Sequence, residues 1–320
     1  MGYADDRHQL VIVGAGRVGS TTAYAALVSG IADSITLIDA DRNRAEGEVM
    51  DLVHGLPFVS PTTVRAAGYE ACREADVIIV TAGAARQPGD TRLDLARRNL
   101  ALYQEIIPKI VEWTREAVLV IVSNPVDLLT LAAQRMSGLP PSQVVGTGTV
   151  LDTSRLRSTL AEHFAIDARN VHAFVVGEHG DSQVTLWSSA RIAGLTLADY
   201  AKAAGRAWGA DLEHDLERQV LTAGAEVIRR KGATYFAIGL VASSLARTIL
   251  HDVRSILTVS SVLQGEHGLA DVALSLPCVV GREGCAKALT LSIDERELGA
   301  LRSSADTLRK TYDEISGPRA

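Results

Sequence analysis

Cysteine is scarce in this chain, with only three residues among 320. Cys72, Cys278 and Cys285 form neither a Cys-x-x-Cys pair nor the set of spacings that a disulfide framework requires. We therefore predict no disulfide, no metal site and no redox role for them. Apolar neighbours surround Cys278 in the sequence, which indicates a residue of the core.

Long apolar runs and basic blocks are missing as well. No run approaches the roughly 18 apolar residues that suggest a membrane span, and residues 1–9 lack the apolar centre of a signal peptide. The formal net charge of −6 argues against nucleic acid or an anionic membrane as the main partner. We expect a cytoplasmic protein that binds a small molecule, and its 47% hydrophobic content is ample for a large core.

Short apolar runs alternate with helical patterns through the first half of the chain. Strands are predicted at 10–13, 35–38, 76–80 and 117–122. Each run is apolar on both faces, which is typical of parallel strands buried between layers of helices. The helical patterns that begin at 18, 93 and 126 supply the crossovers of a doubly wound sheet. We therefore predict an α/β fold with such a sheet in residues 1–146.

This alternation breaks down after about residue 146. Strands or hairpin arms are predicted around 171–176, 183–190, 255–263 and 272–280, and helices at 151–164, 212–230, 235–250 and 294–314. Residues 147–320 are therefore predicted to form a mixed α+β domain that binds substrate and carries the catalytic groups.

A glycine motif follows the first predicted strand. Gly14, Gly16 and Gly19 fit the pattern G-x-G-x-x-G, and Asp39 ends the second strand twenty residues after Gly19. Strand, glycine turn, helix and distant acid together indicate a Rossmann dinucleotide site, with the pyrophosphate at the helix N-terminus. Asp39 would bind the ribose hydroxyls and repel a 2′-phosphate, which favours NAD, although Arg42 leaves room for NADP. The alternative is a structural glycine turn followed by an unrelated aspartate.

The most informative stretch is Gly177-Glu178-His179-Gly180-Asp181-Ser182, directly after an apolar run at 173–176. Histidine can give or take a proton near neutral pH, and flanking glycines let substrate approach it. A hydrogen-bonded core histidine is the alternative interpretation. With the glycine motif and three separated arginines, this stretch resembles the L-lactate and L-malate dehydrogenase family, and the resemblance covers nearly the whole chain.

The resemblance implies a set of catalytic roles. His179 would be the general acid/base, and Asp152 would orient its imidazole, although a helix N-cap is an alternative role for Asp152. Asn124, in Ser123-Asn124-Pro125, would lie beside the nicotinamide and the substrate oxygen, with a helix cap as its alternative. Arg155 would grip the substrate's C1 carboxylate. Arg92 would polarise the reacting carbonyl when the lid formed by residues 83–92 closes.

Two positions bear on the choice of substrate. Arg86 stands six residues before Arg92, where the family carries Gln in lactate-type and Arg in malate-type members. A guanidinium there can pair with the second carboxylate of oxaloacetate, so we expect malate as the favoured substrate. Thr234 and the residues around His179 look lactate-type. Lactate dehydrogenase, or dual activity, is therefore the alternative.

The resemblance also implies a homotetramer and a candidate allosteric anion site. Arg157 and His172 match the positions that bind a sugar bisphosphate between subunits in allosteric members. A surface arginine and a strand histidine packed at an interface are the alternative. Two competing classes of function are a non-catalytic NAD-binding module and an NAD-dependent glycosidase.

Overall fold

The computed structural model describes residues 8–84, 89 and 91–316. Its first half contains six mutually parallel strands: Gln9–Val13 (β1), Ser34–Ile38 (β2), Thr63–Ala66 (β3), Val77–Val80 (β4), Val118–Ile121 (β5) and Val144–Gly146 (β6). Their spatial order is β3-β2-β1-β4-β5-β6. The order reverses between β1 and β4, which is where doubly wound sheets bind ligands. The prediction of a doubly wound parallel sheet is confirmed.

Side chains on alternate positions of the inner strands enter two different cores. In β1, Leu10 and Ile12 pack into the core on one face, and Val11 and Val13 pack into the core on the other. All four are at most 2% exposed, and burying one such side chain contributes about 1.5–3 kcal/mol. Burial on both faces explains why β1, β4 and β5 show no alternation of apolar and polar residues. The edge strand β3, in contrast, places Val64 in the core between exposed Thr63 and Arg65.

Four helices connect these strands, namely Arg17–Val28 (α1), Arg42–His54 (α2), Arg92–Val111 (α3) and Val126–Ser137 (α4). The helix predicted at 93–115 ends four residues early. Thr114 Oγ1 accepts the N–H groups of Glu116 and Ala117, which turns the chain towards β5. Short 3-10 helices occupy Leu56–Phe58, Tyr69–Glu74, Pro141–Gln143, Ala168–Asn170 and Glu266–Gly268.

The second half mixes helices with short and long strands. Its helices are Val150–Phe164 (α5), Leu197–Ala203 (α6), Ala210–Lys231 (α7), Phe236–Leu250 (α8) and Glu295–Ser316 (α9). Its strands are Val171–His172 (β7), Val175–Val176 (β8), Val184–Thr185 (β9), Arg191–Ile192 (β10), Leu195–Thr196 (β11), Ser255–Gln264 (β12), Ala270–Gly281 (β13) and Gly284–Ala288 (β14).

The long strands of the second half extend the first sheet. β12 pairs antiparallel with β6, and β13 and β14 follow outward, which gives a sheet of nine strands. The strands predicted at 171–176 and 183–190 are shorter than expected. Near Val175 the reason is that the hydroxyls of Thr153 and Thr149 bind its N–H and C=O groups.

Two packing features position the site. Helix α1, which follows the glycine motif, packs against α8, so the turn between α7 and α8 lies close to the cofactor side. A Cβ on Gly239 of α8 would lie 2.7 Å from Thr21 Cγ2 of α1, and this contact requires glycine.

Within the ranges that the structure describes, no helix combines the length and the apolar character needed to cross a bilayer.

Candidate active site

The glycine motif forms a tight turn between β1 and α1. Gly14 has φ +107°, and a Cβ there would lie 2.6 Å from the backbone nitrogen of Ala82. A Cβ on Gly19 would lie 1.8 Å from the Gly14 carbonyl oxygen, whereas nothing lies within 4 Å of a Cβ on Gly16. The outer glycines thus permit close packing, and the middle one leaves the backbone open to a ligand at the N-terminus of α1. This arrangement fits a dinucleotide pyrophosphate.

Asp39 follows β2 and contacts the glycine turn directly. Its carboxylate accepts the N–H of Ala15 at 2.7 Å and that of Asp41 at 2.8 Å. A carboxylate has about four acceptor positions, so capacity for ribose hydroxyls remains. Arg42, which leaves room for NADP in the sequence, is exposed and pairs with Glu46 at 2.7 Å.

A cavity of about 350 Å³ lies between the two halves of the chain. It is lined by six of the residues predicted for catalysis or substrate binding: Arg92, Asn124, Asp152, Arg155, His179 and Thr234. Val18 of α1 and Ile238 of α8 add apolar wall. The cavity therefore brings together residues from the β5–α4 connection, α3, α5, α8 and the loop after β8.

Asp152 connects two of these groups at the centre of the cavity. His179 Nδ1 lies 2.5 Å from Asp152 Oδ2, and Arg155 Nη1 donates to Asp152 Oδ1 at 2.7 Å. The Asp152 side chain is 3% exposed, whereas those of His179 and Arg155 are 26% and 21% exposed. Asp152 is the third residue of α5, whose N-cap is Thr149. The alternative N-cap role of Asp152 is therefore wrong.

The contacts shift the pKa values of this pair in opposite directions. Burial by itself would raise the pKa of Asp152, but the hydrogen bond and charge of His179, with help from Arg155, bring it below its usual range. Burial by itself would lower the pKa of His179, but Asp152 and then Asp127 raise it above its usual range. The ionised Asp152 accepts a hydrogen bond from the protonated Nδ1 of His179. This leaves Nε2 to exchange a proton with a substrate.

Arg92 and Asn124 reach the cavity from the ends of two connections. Arg92 is the first residue of α3, which Thr91 and Asp94 start with a capping box. Its guanidinium binds Asp181 through two contacts, at 2.7 and 3.0 Å. Asn124 lines the cavity, and its Oδ1 accepts the N–H of Val126 at 3.3 Å. The N-cap of α4 is Pro125 rather than Asn124, so the alternative N-cap role of Asn124 is wrong.

Two buried residues that support the site were not assigned a role from the sequence. Asn99 of α3 is 2% exposed; its Oδ1 accepts the Ala84 N–H at 2.7 Å, and its Nδ2 donates to the Asn124 carbonyl at 2.6 Å. It therefore joins the root of the predicted lid to Asn124. Asp127 accepts the backbone N–H of His179 at 2.7 Å. Its place in Ser123-Asn124-Pro125-Val126-Asp127 was the one sequence signal that pointed to it.

The remaining predicted residues lie elsewhere. Arg86 is outside the described residues. Arg157 lines a separate cavity of about 250 Å³, where its Nε donates to the Ala173 carbonyl at 3.1 Å and its guanidinium lies 5.4 Å from the Phe174 ring. His172 is exposed in β7. Cys72, Cys278 and Cys285 are free and buried, as predicted for Cys278.

Two family models together match almost the whole chain. The lactate/malate dehydrogenase NAD-binding domain matches residues 8–146, and the lactate/malate dehydrogenase alpha/beta C-terminal domain matches residues 149–317. The chain belongs to the lactate/malate dehydrogenase family. As a member of this family with a matching NAD-binding domain, it uses NAD as its cofactor.

Similar members of the lactate/malate dehydrogenase family are known. The chain is 46% identical to an L-lactate dehydrogenase of Synechococcus sp., with 95% of this chain and 98% of that protein covered. It is 43% identical to one from Thermoanaerobacter sp., with 96% and 99% covered. The crystal structure of the minor L-lactate dehydrogenase from Enterococcus mundtii in its ligands-bound form superimposes with a TM-score of 0.94 at 37% identity, over 97% and 99% of the two chains.

Proposed function

We propose that this chain is an NAD-dependent L-2-hydroxyacid dehydrogenase that interconverts L-lactate and pyruvate. The observation that carries the proposal is the hydrogen-bonded series Arg155–Asp152–His179 in one cavity with Arg92 and Asn124. The relatives described above are L-lactate dehydrogenases, which favours lactate over malate. NAD supplies the hydride acceptor, and NADH the donor, for this chemistry.

His179 and Asp152 would handle the proton. In pyruvate reduction the charged imidazole gives its Nε2 proton to the carbonyl oxygen, and in lactate oxidation the neutral imidazole takes the hydroxyl proton. Asp152 keeps the proton on Nδ1 and stabilises the cation. The raised pKa of His179 therefore supports its role as the acid in reduction.

Two arginines would bind and polarise the substrate. Arg155 uses one nitrogen on Asp152, and the remaining N–H groups of its fork suit the C1 carboxylate. Arg92 would leave Asp181 and turn to the carbonyl oxygen, where its charge stabilises the developing alkoxide. Asn124 would donate to the same oxygen from the nicotinamide side.

Charge pairing in the cavity supports a monocarboxylate. Among the described lining residues, each cationic side chain already has a carboxylate partner. Asp152 pairs with both Arg155 and His179, and Asp181 pairs with Arg92. A second substrate carboxylate would need another cation. Arg86 is the sequence feature that favours malate and oxaloacetate as the second candidate, because it stands six residues before Arg92.

Parallel initial-rate assays with NADH test the two candidates. Pyruvate should be the better substrate by kcat/KM, and a preference for oxaloacetate would reverse the assignment. Replacing Arg86 with Gln should lower activity on oxaloacetate, because it removes the cation that a second carboxylate needs. The Arg282→Gln variant serves as the matched control, since Arg282 does not line the cavity. Failure to reduce either acid would favour a non-catalytic or glycosidase function.

The proposal extends to assembly and organisation. A cofactor domain at 1–146 and a substrate domain at 147–320 would form the subunit of a cytoplasmic homotetramer. Large apolar side chains on α1, α2 and α8 support association, because Tyr24, Met50, Phe236 and Leu240 are each more than 60% exposed. Sedimentation velocity over a range of protein concentrations should show a tetramer, and a monomer at micromolar concentration would contradict it.

A further inference from the structure

Asp127 is a buried carboxylate that contacts the loop carrying His179. It stands in the first turn of α4 and is 2% exposed. Its Oδ2 accepts the backbone N–H of His179 at 2.7 Å, although 52 residues separate the two in sequence. The loop that presents the imidazole is therefore attached to α4 through this carboxylate, and Asp127 acts on the backbone that carries the ring.

The other oxygen of Asp127 has no comparable partner. Within the part of the chain that the structure describes, Oδ1 lacks a hydrogen bond of good geometry, and a weaker interaction with the Ser260 hydroxyl lowers the pKa of Asp127. Burial outweighs this effect and the contribution of His179, and it raises the pKa of Asp127 to about 6. Asp127 therefore carries its charge above about pH 6 at the cost of desolvation.

A neutral amide of the same shape would hold the His179 N–H without that desolvation cost. The carboxylate therefore needs a further explanation, and His179 provides one. The charge of Asp127 raises the pKa of His179, after the larger effect of Asp152. The other charged groups that act on the imidazole or on Asp127 are Arg155 from α5 and Glu178 from the same loop.

We propose that Asp127 is a second carboxylate partner of His179, a positioning residue that holds its backbone and favours its charged form. The inference deepens the proposed function, on which it rests. Asp152 binds the ring, and Asp127 binds the main chain from another helix. Loss of the Asp127 charge should therefore weaken proton donation to pyruvate without moving any group that contacts the substrate.

Asp127→Asn separates charge from geometry, because the amide oxygen can still accept the His179 N–H. Histidine titration followed by NMR in isotope-labelled protein, with His179→Asn to assign the signal, measures the effect without turnover. We expect His179 to lose its proton at lower pH in Asp127→Asn than in the wild type. A parallel pH profile of pyruvate reduction should show a lower kcat/KM at alkaline pH in the variant, because less of its His179 carries the proton there. Identical His179 titration in variant and wild type would overturn the proposal.

Ser260→Ala provides a second variant that keeps the carboxylate. Loss of the hydroxyl removes a group that lowers the pKa of Asp127, so the inflection that Asp127 produces in the His179 titration should move to higher pH. An unmoved inflection contradicts the coupling, even if Asp127→Asn does not fold. Because the NMR readout needs no substrate, its result stands separately from the proposed function, whose failure would appear as absent activity on both acids.

Discussion

Arg92 and Asp181 form a two-point ion pair that joins the first residue of α3 to the loop carrying His179. The distances are 2.7 Å from Nη1 to Oδ2 and 3.0 Å from Nη2 to Oδ1. The two side chains are 70% and 71% exposed, and exposed pairs contribute only about 0–1 kcal/mol. The guanidinium can therefore leave Asp181 for a substrate carbonyl at low cost.

Replacing Asp181 with Asn tests the effect of this carboxylate on substrate choice. Because Asp181 lines the cavity, its charge opposes a second substrate carboxylate. The variant should raise the ratio of kcat/KM for oxaloacetate to that for pyruvate, with the free energy of unfolding changed by less than about 1 kcal/mol. Asp215→Asn, which breaks an exposed pair with Arg218, is the matched control. An unchanged ratio would show that Asp181 has no influence on selectivity.

The Asp152–His179 pair should make stability depend on pH. The folded pKa of Asp152 is lowered, so its contribution is present above its unfolded value and is lost as the pH falls. The folded pKa of His179 is raised, so its contribution is present below its unfolded value of 6.5 and is lost as the pH rises through the folded value. The pair therefore stabilises the fold most at about pH 5–6.

Asp152→Asn should lower the free energy of unfolding, and more so at pH 5.5 than at pH 9. Urea unfolding of both proteins at the two pH values measures the difference. Pyruvate reduction should also fall off at lower pH in the variant, because the imidazolium loses its partner. Asp167→Asn, which removes an exposed carboxylate paired with Arg169, provides the control. A stability difference that is independent of pH would rule out this linkage.

The elements that could be predicted best from the sequence are the strands that are buried along almost their whole length. β1, β2, β4 and β5 are buried on both faces and are apolar, apart from Gln9 in β1 and Ser34 and Thr36 in β2. The short strand β6 was not predicted, and no local pattern in β12 shows that it pairs with β6. A contact between two strands more than a hundred residues apart depends on tertiary packing.

The catalytic groups were predictable because motifs carry them, whereas their supports were not. His179 and Asp152 stand in recognisable contexts, and the structure brings them within hydrogen-bond distance. Asn99 and Asp127 act on backbone groups 25 and 52 residues away. Such contacts depend on the packing of α3 against α4, which no local sequence pattern specifies.

Asp39 should determine cofactor choice and also hold the glycine turn. Asp39→Ser removes both the charge that opposes a 2′-phosphate and an acceptor for the Ala15 N–H. We expect weaker NADH binding and a narrower preference for NADH over NADPH, measured by fluorescence titration. Asp39→Asn is the matched control, because it keeps the acceptor and loses only the charge. Equal use of both cofactors by the wild type would contradict the ribose role.

The side chain of Arg157 already makes contacts that limit its freedom to bind an anion. Its Nε donates to the Ala173 carbonyl, next to His172, and its guanidinium packs over Phe174. Burial lowers its pKa without removing its charge at neutral pH. Binding of an anion by Arg157 would therefore require the remaining nitrogens of its fork, or release from Ala173.

Fructose 1,6-bisphosphate tests whether Arg157 and His172 form an anion site between subunits. If they do, the effector should lower the apparent KM for pyruvate by stabilising the assembled, active subunits. Rates at sub-saturating pyruvate, with and without the effector, measure the response. Arg157→Gln should remove the response, and His172→Gln should weaken it. No response of the wild type would leave both residues with a purely structural role, Arg157 holding Ala173 and His172 pairing β7 with β10.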